Sequence, residues 1–186
     1  APQPGSVQHI LLAMACERDF GDAKKFDNQL ITLAHPDGFN ALLAQKEITA
    51  HFTAPPYLMK ELEQPGMTQV LSGKAAFGGD FTFIVGVTTE KFHDRNHKVY
   101  QAYIKSLHQA MEYARNNPKG TASLLSAAYR IPQAELLKYL QAPGTEYRPE
   151  IKGIKEFAVF MKRNGYIGKT PSQGSDILWK DAKYNE

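Results

Sequence analysis

The residues with the clearest chemical potential stand near the start of the chain, in the run Gly5-Ser6-Val7-Gln8-His9. A glycine and a capping serine at the start of a helix leave backbone N–H groups free, and the helix dipole attracts anions to that end. Ser6, Gln8 and His9 would add side-chain donors. The pattern indicates an anion site at Gly5, Ser6, Gln8 and His9, or alternatively a plain N-terminal cap, since serine is preferred at helix starts generally.

A second candidate region follows a predicted strand, in the run Ala54-Pro55-Pro56-Tyr57. Open α/β sheets bind ligands at the carboxyl ends of their strands, and a tyrosine there offers an apolar face and one hydroxyl. Pro56 and Tyr57 are therefore candidate ligand contacts, or else a rigid turn with Tyr57 covering the core. Asp80 and Phe81 follow two glycines, and they either line a ligand or belong to a tight crossover.

Sequence motifs for metal binding and catalysis are weak. His93 and His97 stand four apart, a spacing that on one helix would direct both imidazoles to a metal ion, but Asn96 between them indicates a helix cap that would break this geometry. Gly168-Lys169-Thr170 resembles the end of a phosphate-binding loop, yet Arg163 stands where that loop needs a glycine. No nucleophile elbow or zinc-protease motif is present. We predict no catalytic residue, no metal and no cofactor.

The elements that must position these residues alternate over the first 90 positions. Ser6 is predicted to cap a helix whose apolar residues recur at helical spacing and which ends at Gly21. Further helices are predicted to begin at Pro36 and Tyr57. Short apolar runs predict strands at residues 29–34, 48–53, 70–71 and 81–88. This alternation of helices and strands predicts an α/β layer with a largely parallel sheet.

Beyond residue 96 the pattern becomes purely helical. A long helix is predicted up to Asn117-Pro118, followed by helices over residues 121–129, 133–141 and 151–164. Four consecutive helices cannot form strand-helix-strand units, so they are expected to pack over structure formed elsewhere.

Composition and charge limit the class of protein. The 186 residues are 42% apolar and include one cysteine, which excludes a disordered chain and a disulfide scaffold. No apolar run approaches the roughly 20 residues of a membrane-spanning helix. A net charge of +3 gives no indication of nucleic-acid binding. Residues 1–86 carry 6 basic and 9 acidic side chains, against 16 and 10 in residues 87–186, which indicates two differently used surfaces.

The order of these segments resembles one family. The features that carry the resemblance are the Gly5-Ser6 helix entrance, the strand and helix over residues 31–43, the strand at 48–53 before Pro55-Pro56-Tyr57, and Val85 to Phe92 before a long helix. Together they resemble the solute-binding proteins of bacterial ABC importers for nitrate, sulfonate, taurine and bicarbonate. The resemblance extends over nearly the whole chain and rests on segment order and loose motifs.

The resemblance implies a type II periplasmic-binding fold. Residues 1–72 would form a three-layer α/β lobe, and residues 73–186 a hinge return with the helix-rich C-terminal part of the other lobe, whose N-terminal half is expected upstream. A small anionic compound such as a sulfonate or nitrate would bind between the lobes without catalysis. The implied contacts are Gly5, Ser6, Gln8, His9, Pro56, Tyr57, Asp80 and Phe81.

The resemblance also implies partners and a location. Pro56 stands where relatives often carry an acidic residue, which argues against an amine-bearing ligand such as taurine. The expected protein partner is an ABC transporter permease, and no nucleic acid is expected. The protein would be periplasmic, or lipid-anchored outside the cytoplasm. A homodimer through an exposed lobe surface is also expected, because the missing strands would leave an apolar face uncovered.

Two alternatives share this architecture. A thiamine-pyrimidine synthase-like enzyme would need a cysteine-rich iron-binding motif, whereas the chain offers only Cys16. The effector-sensing domain of a transcription regulator would need a helix-turn-helix upstream.

Overall fold

A computed structural model describes residues 1–179 of the chain. Its first helix, α1 (Val7–Phe20), begins where the sequence predicts, because the Ser6 side chain accepts a hydrogen bond from the His9 backbone N–H at 3.3 Å. Gly21 ends the helix in the left-handed region, at φ +72°, and its N–H donates to the Glu17 carbonyl.

The described residues form nine α-helices and two short 3-10 helices. None of the described helices has the length and apolar character needed to cross a membrane. After α1 the α-helices are α2 (His35–Ala44), α3 (Tyr57–Leu62), α4 (Gly73–Phe77), α5 (Glu90–Arg95), α6 (His97–Asn116), α7 (Pro118–Tyr129), α8 (Gln133–Leu140) and α9 (Ile154–Arg163), and the 3-10 helices span Asp27–Gln29 and Gly174–Asp176.

The first of two compact units comprises Ala1–Phe81 and Gly153–Ile177. Its core is built on both sides of α1. Ile10 and Ala13 pack with Phe160 of α9, and Leu11 and Ala15 pack with Ala76 of α4. Partly buried aromatic residues extend both clusters, namely Phe52, Phe77, Phe81, Phe157 and Tyr166. Helices α2 and α3 pack on each other.

The second unit comprises Thr82–Lys152 together with residues 178–179 of the described chain. Helix α6 packs against α7, and α7 packs against α8. Asn117 ends α6 and caps α7, since its side chain accepts a hydrogen bond from the Gly120 N–H at 3.1 Å. Tyr100 is the only buried residue of the 20-residue helix α6, so this unit has a small core.

The predicted α/β fold of the type II periplasmic-binding class is wrong. The structure is 54% helical and its described residues contain no sheet, so this is a helical protein. The predicted strands at residues 29–34, 48–53, 70–71 and 81–88 are absent from the described structure. The helices predicted within 1–63 and beyond residue 96 are present, with ends shifted by a few residues.

The missing strands have a physical reason. A short apolar run forms a strand only where another strand supplies the ladder of backbone hydrogen bonds. Residues 31 and 33 instead bond to the chain terminus, with the Leu33 N–H donating to the Ala1 carbonyl at 3.2 Å. His51 contributes its side chain to a polar cluster, and Val70 is 90% exposed.

The core around α9 can be tested with two neighbouring substitutions. Phe160 is 4% exposed in the cluster with Ile10 and Ala13, whereas Val159 is 50% exposed on the same helix. We expect Phe160→Ala to lower the free energy of unfolding by about 3–5 kcal/mol, because it removes buried apolar surface and leaves a cavity. Val159→Ala should change it by less than about 1 kcal/mol. Urea unfolding followed by circular dichroism measures both, and equal losses would contradict this packing.

Candidate functional site

The start of α1 is held by a histidine that bonds on both sides of its ring. The Gly5 N–H donates to His9 Nδ1 at 2.9 Å, so the proton of the neutral ring lies on Nε2, which donates to Asp27 Oδ1 at 3.1 Å. His9 is 6% exposed, and its ring meets the Tyr166 ring edge-on at 5.5 Å between centroids. Gly5 can direct its N–H toward the His9 ring because its backbone adopts φ +76°, in the left-handed region that glycine tolerates.

These contacts decide which of the predicted donors remain open. The Gly5 N–H and both nitrogens of His9 are used within the protein, and the Ser6 hydroxyl accepts from the His9 backbone. Among the described contacts, none satisfies the backbone N–H groups of Val7 and Gln8, or the Gln8 side-chain amide. Gln8 is nevertheless only 7% exposed. The first turn of α1 contains no acidic residue.

A second polar cluster lies around the predicted Pro56-Tyr57 region. His51 Nδ1–H donates to Glu61 Oε1 at 2.7 Å, and both side chains are almost fully buried. Thr53 Oγ1 lies 2.9 Å from His35 Nδ1, and the ring of His35 stacks on Tyr57 at 5.9 Å. The structure therefore places Tyr57 in an aromatic and polar cluster.

Pro56 itself has a local role. It is joined to Pro55 by a cis peptide bond and stands at the N-cap position of α3. The Leu58 N–H donates to the Ala54 carbonyl across this turn, and the Lys60 N–H donates to the Pro56 carbonyl. Pro56 thus starts the helix that carries Tyr57 and Glu61.

Burial and neighbouring charge lower the pKa of one histidine in this cluster. Burial lowers the pKa of His35, and His51 and the chain's N-terminal ammonium lower it further, while Glu61 acts in the opposite direction. His51 Nε2 is one of two buried side-chain atoms without a hydrogen-bond partner in the described chain, the other being the Tyr166 hydroxyl oxygen. Burial also raises the pKa of Tyr166, with a smaller contribution from Asp27.

Two histidine-carboxylate pairs are therefore present, His9 with Asp27 and His51 with Glu61. Such a pair orients the imidazole in hydrolytic triads, where the outer nitrogen must reach a nucleophile. The outer nitrogen of His9 accepts from Gly5, and that of His51 lies against Gly38. Both pairs therefore hold the fold together and present no ring nitrogen to a substrate.

The remaining predicted residues are placed apart from these two groups. Asp80 is exposed and its Oδ1 lies 2.8 Å from Lys74 Nζ. Phe81 packs with Phe77 and Phe157 beneath α1, at centroid distances of 5.2 and 5.6 Å. No described contact joins Tyr57 or Asp80 to the start of α1. The structure thus brings together Gly5, Ser6 and His9, and leaves Pro56, Tyr57 and Asp80 elsewhere in the unit.

Sequence reasoning missed a polar cavity in the second unit. It has a volume of about 370 Å³ and is lined by His108, Glu112, Arg115, Arg148, Pro149 and Glu150. Arg115 donates to the Tyr147 carbonyl at 2.7 Å, and Arg148 lies 2.6 Å from Glu146. The excess of basic residues after position 86 is the sequence signal that could have indicated this cavity.

Metal binding finds no support in side-chain geometry. No group of three or more His, Cys, Asp or Glu side chains in residues 1–179 is arranged to hold a metal ion. The predicted cap between His93 and His97 is confirmed, since α5 ends at Arg95 and Asn96 separates it from α6. The His93 ring stacks on Trp179, with 4.5 Å between ring centroids, and meets the His97 ring edge-on at 5.5 Å.

Comparison of the chain with protein-family models, with curated proteins and with solved structures found no match.

The contact between His51 and Gly38 can be tested by adding a methyl group. A Cβ on Gly38 would lie 2.4 Å from His51 Nε2, a distance that forces the buried ring to move. We expect Gly38→Ala to lower the free energy of unfolding by about 1–3 kcal/mol, although alanine is the better helix former. Gly79→Ala is the control, because nothing lies within 4 Å of its Cβ. A stabilised Gly38→Ala protein in urea unfolding would refute this packing.

The environment of His35 predicts a pH dependence. Its pKa is lowered in the folded state, so the unfolded chain takes up the proton first as the pH falls. Stability from this group is therefore present above the ordinary histidine pKa of about 6.5 and is lost as the pH falls below it. We expect His35→Gln to lose less stability than the unmodified protein between neutral and mildly acidic pH. His108→Gln serves as the control, and identical pH profiles for His35→Gln and the unmodified protein would count against the effect.

Proposed function

We propose that the protein binds a small anionic compound at the start of α1 and releases it unchanged, as the solute-binding component of an ABC importer. The observation that carries the proposal is the first turn of α1, where the backbone N–H groups of Val7 and Gln8 have no partner among the described contacts. N–H groups in the first turn of a helix have no partner within the helix, so a ligand or solvent must satisfy them, and the Gln8 side-chain amide belongs to the same turn. A bound oxyanion would accept from this amide.

The backbone at the same place supports an anion in particular. The Val7 and Gln8 N–H groups point out of the first turn of α1 without described partners, and the positive end of the helix dipole lies there. The Gly5-to-His9 hydrogen bond and the Ser6 cap hold this turn in one conformation. Donors that are already ordered lose little entropy when a ligand binds, which favours affinity.

The wider role is taken from the resemblance to importer proteins, of which the described structure keeps helices but not the strands at residues 29–34 and 48–53. A solute-binding component would deliver its ligand to an ABC permease outside the cytoplasm, as a periplasmic or lipid-anchored protein. The sheet-lined cleft of that family is absent from the described residues, so the proposal rests on the start of α1. The expected binding contacts are the Ser6 hydroxyl, the Val7 and Gln8 backbone N–H groups and the Gln8 side chain, with sulfonate or nitrate as the ligand class, while Gly5 and His9 hold the turn in place.

The test is calorimetric titration with sulfate, nitrate and methanesulfonate, using the unmodified protein and two glutamine variants. We expect Gln8→Met to bind about 10- to 100-fold more weakly, since it removes a hydrogen bond to a charged ligand while keeping the side-chain length. Gln133→Met is the matched control. Gln133 is the exposed first residue of α8, whose first turn carries Glu135 and so disfavours anions.

The backbone contribution has its own readout. On titration with the tightest of the three anions, the amide NMR signals of Val7 and Gln8 should shift more than those at the start of α8. Unmodified affinity in Gln8→Met would reject this site. Absence of binding by all three anions to a folded protein, verified by circular dichroism, would reject the proposed ligand class.

A further inference from the structure

An apolar segment, residues 83–88, lies between Thr82 and α5 in the second unit and belongs to no helix. Its sequence is Phe-Ile-Val-Gly-Val-Thr. These residues are unusually exposed for their types. The exposed fraction is 41% for Phe83, 79% for Ile84, 48% for Val85 and 89% for Val87. Contiguous exposed apolar residues of this kind mark an interaction surface more often than a solvated loop.

The backbone of residues 83–88 is open as well. Among the described contacts, none satisfies any N–H or C=O group of these six residues. The two ends are nevertheless attached. The Thr82 N–H donates to the Lys152 carbonyl at 3.0 Å, and the Lys152 N–H donates to Thr82 Oγ1. At the other end, Thr89 caps α5 by accepting from the Phe92 N–H.

The residue types of the segment suit strand pairing. β-branched and aromatic residues dominate it, and it contains no charge and no proline. Natural edge strands are usually protected from pairing by lysine, proline or a covering element. Residues 83–88 carry none of these devices on their own positions, so both the side chains and the backbone can accept a second strand.

We propose that residues 83–88 pair with the same residues of a second copy of this chain, as two antiparallel strands related by a two-fold axis. The segment suits itself as a partner, because it is uncharged and two copies meet without repulsion. The charged residues that follow the segment favour the antiparallel direction of pairing. Parallel pairing in register would set Glu90 beside Glu90 and Lys91 beside Lys91 at the start of α5, whereas antiparallel pairing keeps these charges at opposite ends.

The register and strength follow from the same residues. With the axis at Val85, the two Val85 side chains lie opposite each other, Phe83 lies opposite Val87 of the other copy, and Ile84 lies opposite Gly86. Each copy covers only four apolar side chains, which is much less than the roughly 1,200 Å² buried in a standard stable interface. We therefore expect a weak dimer whose population rises with concentration. This inference does not depend on anion binding at α1.

Sedimentation velocity between about 1 and about 100 μM tests the association. We expect the unmodified protein to shift from monomer toward dimer across this range, and Ile84→Lys to weaken the association at least tenfold. Leu124→Lys is the matched control, because Leu124 is an equally apolar residue, 69% exposed, on α7 of the same unit. It should dimerise as the unmodified protein does.

Hydrogen exchange shows whether the backbone pairs as stated. The amides of residues 83–88 should exchange freely in dilute solution and become protected as the concentration rises, and Ile84→Lys should abolish that protection. A protein that stays monomeric up to the highest concentration would overturn the proposal. So would a dimer that Ile84→Lys leaves intact, or a segment already protected in the monomer, which would mean that another part of the chain covers it.

Discussion

The first unit depends on the burial of α1 from two sides. Neighbouring residues of this helix enter different clusters, with Ile10 and Ala13 on one side and Leu11 and Ala15 on the other. Successive residues of an α-helix point about 100° apart around its axis, so neighbouring positions face different sides of the helix. Both sets of residues can be buried only when other elements pack on both sides. Helices α4 and α9 supply that cover, and the aromatic residues Phe77, Phe81 and Phe157 fill the space between them.

His9 joins this core to the loop that precedes it. One side of its ring accepts from Gly5 before the helix, and the other donates to Asp27 after it, so a single buried side chain ties two loops to α1. His9, which the sequence suggests as a ligand donor, therefore uses both of its ring nitrogens in hydrogen bonds within the protein. Next to this ring, the backbone N–H groups of Val7 and Gln8 have no partner among the described contacts. The proposed anion site is a consequence of how His9 is used.

The two units are stabilised differently. In the first, buried apolar residues and histidine-carboxylate pairs lie close together, whereas in the second the long helix α6 buries only Tyr100. Exposed apolar residues accordingly concentrate in the second unit, in residues 83–88 and along α6 and α7. A small core leaves apolar surface that can be buried only by association, which connects the weak packing of this unit with the proposed pairing of its apolar segment.

The sequence alone predicted seven of the nine described α-helices, with ends that differ by a few residues, and it missed α4 and α5. Ser6 and Pro36 stand at the starts of helices and Gly21 ends one, as predicted, because a cap or a turn needs only its immediate neighbours. The anion site at the first turn of α1 was also predicted from the sequence and stays a prediction. These features depend on residues within a few positions of each other, so spacing and residue type are sufficient to find them.

Tertiary structure alone decided the rest. Whether an apolar run such as residues 83–88 becomes a strand depends on a partner strand far away in sequence, and the described chain supplies none, so the predicted sheet did not form. His9 is held by Asp27, His51 by Glu61, and Tyr57 stacks on His35. The two residues of each pair are too far apart in the sequence for a local turn to bring them together. Long-range contacts of this kind leave no periodic pattern in the sequence, which is why the caps could be predicted and the fold class could not.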